Sequence, residues 1–203
     1  HAHCVLFDRT GSHLLVTNLG DDTIHVFTYK KDESKIEEEP AFVYHSKPGS
    51  GPRSMALSSD EKYLYVTNEL EGSVSTLSYQ KTSGWLTCIQ NSPVNEWKNE
   101  GDRDAAGLVL SPDGQNLYVT TRNINRLTGF HRAPQTGLLK YIQSIKTDGV
   151  NPRSLAIAPN GKWLVVGNQD TDNITIYKRD SEDGNLHVTE KLQVNTPNLF
   201  YKL

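Results

Sequence analysis

The stretch Met55-Ala56-Leu57, Ser59-Asp60-Glu61, Tyr63-Leu64-Tyr65-Val66-Thr67-Asn68, Ser73-Val74-Ser75-Thr76-Leu77 decides the fold. It holds an apolar-alternating run, a tight turn, a second run closing on Asn, and a third run. The same pattern stands about 50 residues earlier without insertion or deletion, as Val5-Leu6-Phe7, Arg9-Thr10-Gly11, Leu14-Leu15-Val16-Thr17-Asn18 and Thr23-Ile24-His25-Val26-Phe27. Two further copies carry Ser111-Pro112-Asp113-Gly114 and Ala158-Pro159-Asn160-Gly161 at the turn. The copies begin near His3, Arg53, Ala106 and Arg153.

A period of roughly 40 to 50 residues, filled with short strands and Gly, Asp or Asn turns, is the signature of β-propeller blades. Alternation of period two dominates every run, β-branched and aromatic residues fill it, and no window sustains the apolar stripe of a helix. The chain is therefore expected to be all-β, a single propeller domain over residues 1–203 with four blades, each a four-stranded antiparallel meander. The fourth strands are expected at Ala41-Phe42-Val43-Tyr44, Leu86-Thr87-Cys88-Ile89, Leu138 to Ile145 and Leu186-His187-Val188.

Composition narrows the function. The 203 residues are 35% hydrophobic and 22% charged with a net charge of −3, which favours neither nucleic acid nor an anionic membrane. Lys30-Lys31 and Glu37-Glu38-Glu39 read as solvated inter-strand loop. No apolar stretch approaches the roughly 18 residues of a membrane helix, and no signal peptide opens the chain. Cys4 and Cys88 form no disulfide framework and no metal motif, and both fall in strand-like runs. Reduced, buried thiols in a cytoplasmic protein are expected. Trp85, Trp97 and Trp163 read as core or rim packing, with Trp97, in the polar loop 95–104, a lid candidate.

The chain opens abruptly at a strand, His1-Ala2-His3, with nothing before it to close a ring, and an open ring would leave exposed edges. Asn195 to Phe200 reads as a terminus trailing from the last blade. The expectation is the C-terminal portion of a larger propeller.

The repeat also serves as its own control. In a meander, strand one runs away from one face of the disc and strand two returns to it. The first residues of strand one and those just past strand two therefore converge on that face, around the central channel. The first set is His3, Arg53, Ala106 and Arg153; the second is Leu19, Glu69, Arg122 and Gln169. Neighbouring positions agree among the copies: strand two ends in Asn18, Asn68, Thr121 and Asn168, residues that bond local backbone. Difference at equivalent positions is the mark of a site. Two arginines, a glutamate and a histidine suit a small anion, since Arg presents a fixed fork to carboxylate or phosphate, and His with Glu can move a proton near neutral pH. His13, His25, His45, His131 and His187 are scattered and read as structural or surface residues.

On these residues the chain resembles the seven-bladed lactonase family, which includes propeller-type 6-phosphogluconolactonases and the fungal carboxy-cis,cis-muconate lactonizing enzyme. The resemblance lies in His1-Ala2-His3, Asn18-Leu19-Gly20-Asp21-Asp22, Pro48-Gly49-Ser50-Gly51-Pro52-Arg53, Asn68-Glu69-Leu70, Ser111-Pro112-Asp113-Gly114, Arg122 and Asn151-Pro152-Arg153, in family order over essentially the whole chain. It implies a seven-bladed disc of which these are the C-terminal four blades. It also implies a catalytic set of His3, Arg53, Glu69 and Arg122. His3 would be the base activating water, Arg53 and Arg122 would hold the substrate anion and developing oxyanion, and Glu69 would orient or exchange protons; Arg153 and Gln169 are further candidates for binding substrate. The chain departs from the family pattern at Ser54, Gly107, Thr121 and Asn18. The implied function is metal-free and cofactor-free hydrolysis of a small anionic lactone, 6-phosphogluconolactone of the pentose phosphate pathway first. A different carboxylated lactone, or the reverse cyclisation, is the nearest variant. A non-catalytic scaffold or small-anion binding protein is the alternative from another class, since propellers host both.

Overall fold

A computed structural model describes residues 1–95 and 103–197. Trp97 and Asn198 to Phe200 fall outside the described residues. The chain folds into four consecutive antiparallel sheets. The first holds β1 (Ala2–Phe7), β2 (His13–Asn18), β3 (Thr23–Lys30), β4 (Lys35–Ile36) and β5 (Phe42–His45), and the second β6 (Pro52–Leu57), β7 (Tyr63–Asn68), β8 (Ser73–Gln80) and β9 (Trp85–Pro93). The third comprises β10 (Ala105–Leu110), β11 (Asn116–Thr121), β12 (Arg126–Arg132) and β13 (Leu139–Lys146), and the fourth β14 (Pro152–Ile157), β15 (Trp163–Asn168), β16 (Asn173–Arg179) and β17 (Leu186–Gln193). The last three are meanders of four strands. The first has a fifth, because the two-residue β4 pairs with the end of β3 before β5 takes the main length of the same edge. Lys30, at the end of β3, forms an ion pair with Glu37 across this extra turn, so the basic pair and acidic run are partly engaged rather than merely solvated. All four expected fourth strands are present.

The core lies between the sheets. Strand two of each blade alternates its side chains, and each face meets a different neighbour. Leu64 and Val66 of β7 pack on the first sheet with Leu15, Ile24 and Val26. Tyr65, between them in sequence, points the other way into the cluster formed with Leu117, Val119 and Phe130 of the third sheet. Tyr118 repeats this one blade on, against Leu164, Val166 and Tyr177. Period-two alternation thus becomes burial on both faces, and β11 is buried at every position while β17, the outer strand, is exposed beyond Leu186.

That outer exposure corrects one expectation: Cys88 is not buried. It sits on β9, an outermost strand, among the exposed Trp85, Thr87 and Ile89, while Cys4 is half-buried. Trp85 stacks on Phe42 of the first sheet across the rim, ring centroids 6.1 Å apart, as expected for rim packing. Among the described residues no helix is long and apolar enough to cross a membrane.

Polar rivets join the blades at the turn side of the disc. Arg179, at the end of β16, reaches back into the third blade. Its Nε donates to Asn116 Oδ1 (3.1 Å) and Tyr118 Oη (3.2 Å), its Nη2 pairs with Asp113 Oδ2 (2.7 Å), and its Nη1 donates to Gly161 O (3.2 Å). Arg132 does the same from the third blade to the second, with Nε on Tyr65 Oη at 2.7 Å and Nη1 on Gly114 O at 3.3 Å. Between the first two blades Tyr79 takes the position, its hydroxyl donating to Asp8 Oδ2 at 3.1 Å and meeting His13 Nδ1 at 3.0 Å. The phenol pKa of Tyr65 and of Tyr118 is pushed up to about 12, chiefly by burial, so both remain hydrogen-bonding hydroxyls.

Arg179→Met keeps the stem and removes the fork, stranding buried acceptors and Asp113. It is expected to lower stability by about 3 kcal/mol in urea unfolding. Arg179→Lys is expected to recover less than roughly half of that, since a point charge cannot serve four acceptors at once; a loss below about 1 kcal/mol for the Met variant would show that the rivet is dispensable.

Candidate active site

A β-bulge opens every blade. The pairing of strand one with strand two slips between Ala2 and Cys4, between Pro52 and Met55, between Ala105 and Leu108, and between Pro152 and Ser154. The unpaired residues include His3, Arg53, Ala106 and Arg153, the positions at which the repeats differ. An extra residue in one strand breaks the alternation locally and re-aims its side chain. Without the bulge these side chains would follow the pleat of their sheets.

Two backbone devices hold the bulges. The first residue past strand two donates its N–H to the residue two before the bulge in every blade: Leu19 to His1 O (2.9 Å), Glu69 to Gly51 O (2.8 Å), Arg122 to Asp104 O (3.1 Å) and Gln169 to Asn151 O (3.0 Å). This ties the two sets of diverse positions together. Second, a threonine near the end of strand two accepts a strand-one N–H through Oγ1: Thr17 from Cys4 (3.0 Å), Thr67 from Ser54 (2.9 Å) and Thr120 from Gly107 (2.9 Å). Thr17 also donates to Arg53 O of the next blade (2.7 Å) and Thr67 to Ala106 O (3.3 Å). In the fourth blade Gly167 replaces this threonine.

Glu69 is the centre of the charged group. Its Oε2 lies 2.6 Å from Arg53 Nε and its Oε1 2.7 Å from Arg122 Nη2, so one carboxylate spans the second and third blades. Arg122 Nη2 is also 3.6 Å from Asp104 Oδ1, a residue that reading the repeat did not single out although it occupies the position equivalent to Gly51 and Asn151. Arg53 is buried and its Nη1 donates to Ser54 Oγ at 3.3 Å. Burial lowers the Arg53 pKa, Glu69 opposes that shift, and Arg122 and Arg153 add to it; the group stays a guanidinium cation.

Beside this group opens a cavity of about 550 Å³, lined by His3, Arg53, Ser54, Arg153 and Ser154 among others, within the range of small-molecule sites. A smaller cavity, about 290 Å³, lies at the far ends of the inner strands around Leu57, Val109 and Ile157, and Leu155 borders both. Glu69, Arg122 and Gln169 do not line the larger cavity; Glu69 and Arg122 reach it through Arg53. Gln169 stands at the start of a short 3-10 turn, with its Oε1 buried and without a hydrogen-bond partner among the described residues.

The third blade contributes Gly107 and Leu108 to the cavity wall, and no charged or polar side chain. At Gly107 a Cβ would lie 2.5 Å from Leu155 Cδ2 and 3.2 Å from Thr120 Oγ1, so a larger residue there must displace Leu155. This is the physical basis of the departure from the family pattern at 107, and it leaves the cavity open between Arg53 and Arg153.

His3 is exposed on β1, yet its pKa is lowered from the ordinary 6.5, first by partial desolvation, then by Arg53, with Arg153 and Arg122 adding and Glu69 opposing. The imidazole is thereby biased to its neutral, proton-accepting form. Cys4 also lines the cavity, but burial raises its thiol pKa while the Met55 backbone and Arg53 pull it down less, so it is kept protonated and poorly nucleophilic. Among the described residues no three His, Cys, Asp or Glu side chains gather as a metal-binding set.

Comparison with known proteins places the chain in a family. The family described as lactonase, 7-bladed beta-propeller, matches residues 1–201. A Formosa agariphila protein named 6-phosphogluconolactonase is 35% identical over 96% of this chain and 56% of its own length, and a Bacillus subtilis protein of the same name is 28% identical over 92% and 52%. The solved structure of a periplasmic gluconolactonase from Pseudomonas aeruginosa superposes with a TM-score of 0.90 at 29% identity, covering 98% of this chain and 55% of that one. The chain thus spans about half the length of these relatives. With its four bulged blades, its repeat and its match from end to end, the chain belongs to the seven-bladed β-propeller lactonase family.

Proposed function

We propose that the complete protein hydrolyses a sugar lactone, 6-phosphogluconolactone first among them, and so acts in the pentose phosphate pathway. The observation that carries this reading is the Glu69 carboxylate bridging Arg53 and Arg122 beside His3 at the cavity. The names borne by the relatives support the substrate class. A lactone carbonyl needs little from an enzyme: a base to take a proton from water and fixed positive charge where the oxyanion forms.

In this mechanism His3 accepts a proton from water as its oxygen adds to the lactone carbonyl. Negative charge grows on the carbonyl oxygen, and the unpaired N–H groups of Arg53, held in place by Glu69, stabilise it. Collapse breaks the ring C–O bond, and the leaving alkoxide recovers the proton from His3, giving the open hydroxy acid. Glu69 orients the arginines and raises the basicity of His3, and Arg122 reinforces the charge from the third blade. Arg153, which lines the cavity, contacts the rest of the substrate. The cytoplasm is the proposed compartment, on the strength of the unpaired thiols Cys4 and Cys88; the similar Pseudomonas protein is named periplasmic, and fractionation of the source cells decides it.

In the full-length protein, His3→Ala and Glu69→Gln are each expected to cut kcat on freshly made 6-phosphogluconolactone by about 10²-fold or more without unfolding the chain. A folded wild-type protein with no rate above spontaneous hydrolysis on this or other lactones would leave the non-catalytic, anion-binding propeller.

The base must be neutral to act, and its pKa is depressed, so kcat/KM should hold its plateau below pH 6.5 and fall only at lower pH. NMR titration of the His3 ring is expected to show the same depressed value. In Glu69→Gln it should move lower still, because that change removes the one neighbouring charge that raises it; a move upward would contradict the assignment.

A further inference from the structure

The arginines at the cavity are not equivalent. Arg53 and Arg122 are both committed to Glu69, whereas Arg153 lines the cavity with no ion pair or hydrogen bond to its guanidinium among the described residues. Next to it, Ser154 is only 8% exposed, lines the same cavity, and has its Oγ buried without a partner. A buried hydroxyl normally finds a partner, and one that has none beside a cavity can meet a ligand there by turning about its Cα–Cβ bond. The fourth blade is also where the repeat breaks its own rule: Gly167 pairs with Ser154 where the other blades place a threonine hydroxyl against the bulge. Uncommitted positive charge and an uncommitted hydroxyl therefore stand together on β14, across the third blade's Gly107 and Leu108 from Arg53.

We propose that Arg153 and Ser154 form the distal anion-reading end of the cavity and bind a phosphate monoester carried by the sugar lactone, making this pair the determinant of preference for phosphorylated over unphosphorylated substrate. This rests on the hydrolysis reading above and deepens it. A phosphate monoester carries about −1.5 to −2 charges at neutral pH with three strong acceptor oxygens. A free guanidinium fork and a hydroxyl donor match that group. The lactone carbonyl then falls to the other side, toward Arg53 and His3, where the committed pair supplies rigidity rather than net charge. Reading the anion at a bulge on a rigid inner strand, instead of on a loop, fixes the distance between the two ends of the substrate.

The test uses the full-length protein and two lactones, 6-phosphogluconolactone and glucono-δ-lactone, with spontaneous hydrolysis subtracted and folding checked by circular dichroism. Arg153→Met is expected to lower the ratio of kcat/KM for the phosphorylated over the plain lactone by about 10-fold, chiefly through KM, with Arg153→Lys restoring part of it and Ser154→Ala lowering it about 3-fold. Equal losses on both lactones would place Arg153 at the reacting carbonyl and overturn the proposal, as would an unchanged ratio. If the wild type turns over neither lactone, the hydrolysis reading fails by itself. Calorimetry then judges the anion end: 6-phosphogluconate bound about 10-fold more weakly by Arg153→Met than by the wild type, with a smaller change for gluconate, sustains it, and equal weakening or none overturns it.

Discussion

One carboxylate, Glu69, makes the charged face of the disc possible. Three guanidinium groups, those of Arg53, Arg122 and Arg153, gather with a histidine at one cavity or just behind its wall, and each arginine depresses the His3 pKa. Burying such charges without compensation is costly. Glu69 lies against two of the arginines at 2.6 and 2.7 Å, each through a different oxygen, with a hydrogen bond to Arg122 and a close ion pair to Arg53 whose angle leaves the buried Nε without one. The Glu69 backbone is locked to Gly51 and to Asp104. The carboxylate thus acts twice, as counter-charge and as a strut between two blades. What remains uncompensated is located, and it is located at Arg153.

The bulges explain why a fold so uniform can carry a site so uneven. A propeller repeats its backbone, and an ideal meander would send equivalent side chains to equivalent places in the walls. Slipping the pairing register by one residue at the start of strand one re-aims the side chain there, and in three of the blades it reaches the cavity. The threonines of β2, β7 and β11 support the break, because one hydroxyl both accepts the freed N–H and, in the first two, donates to the carbonyl of the next blade. The cost of irregularity is offset locally, and the remainder of each sheet keeps its pairing. At the opposite face the inner sides of the blades are joined instead by Arg132, Arg179 and Tyr79, all buried.

Much of this could be read from residue order. Strand two of every blade, with Leu64-Tyr65-Val66 as the clearest case, announces itself because burial of both faces demands apolar residues at consecutive positions. The turns follow from their Asp, Asn and Gly. The eight candidate positions follow from meander geometry alone; of these, His3, Arg53 and Arg153 line the cavity and Glu69 and Arg122 join it through Arg53, while Leu19, Ala106 and Gln169 do not line it. Other features depend on quantities that residue order does not carry. Whether Glu69 reaches Arg53, Arg122 or both is set by side-chain length and rotamer, so the difference between a committed Arg122 and a free Arg153 was not legible. Asp104 was missed because it lies just before the strand, in an irregular stretch. Cys88 was misplaced because an outer strand and an inner one share the same alternation and differ only in what covers them. β4 was missed because two residues are too few to show any period.

Gly107 shows how a departure from a family pattern can carry meaning of its own. Its Cβ position is claimed by Leu155 of the following blade, a residue that borders both cavities. A side chain at 107 and a leucine at 155 therefore compete for one space. With glycine there, the leucine keeps its place beside both cavities, and the third blade gives the larger one only Gly107 and Leu108, so the polar groups of its wall come from the other blades. The site is then shaped by a pair of neighbouring choices, a missing side chain on one blade and a filled one on the next. Its chemistry follows from that shape: a rigid, neutralised arginine with a base on one side, and a free cation with a free hydroxyl on the other.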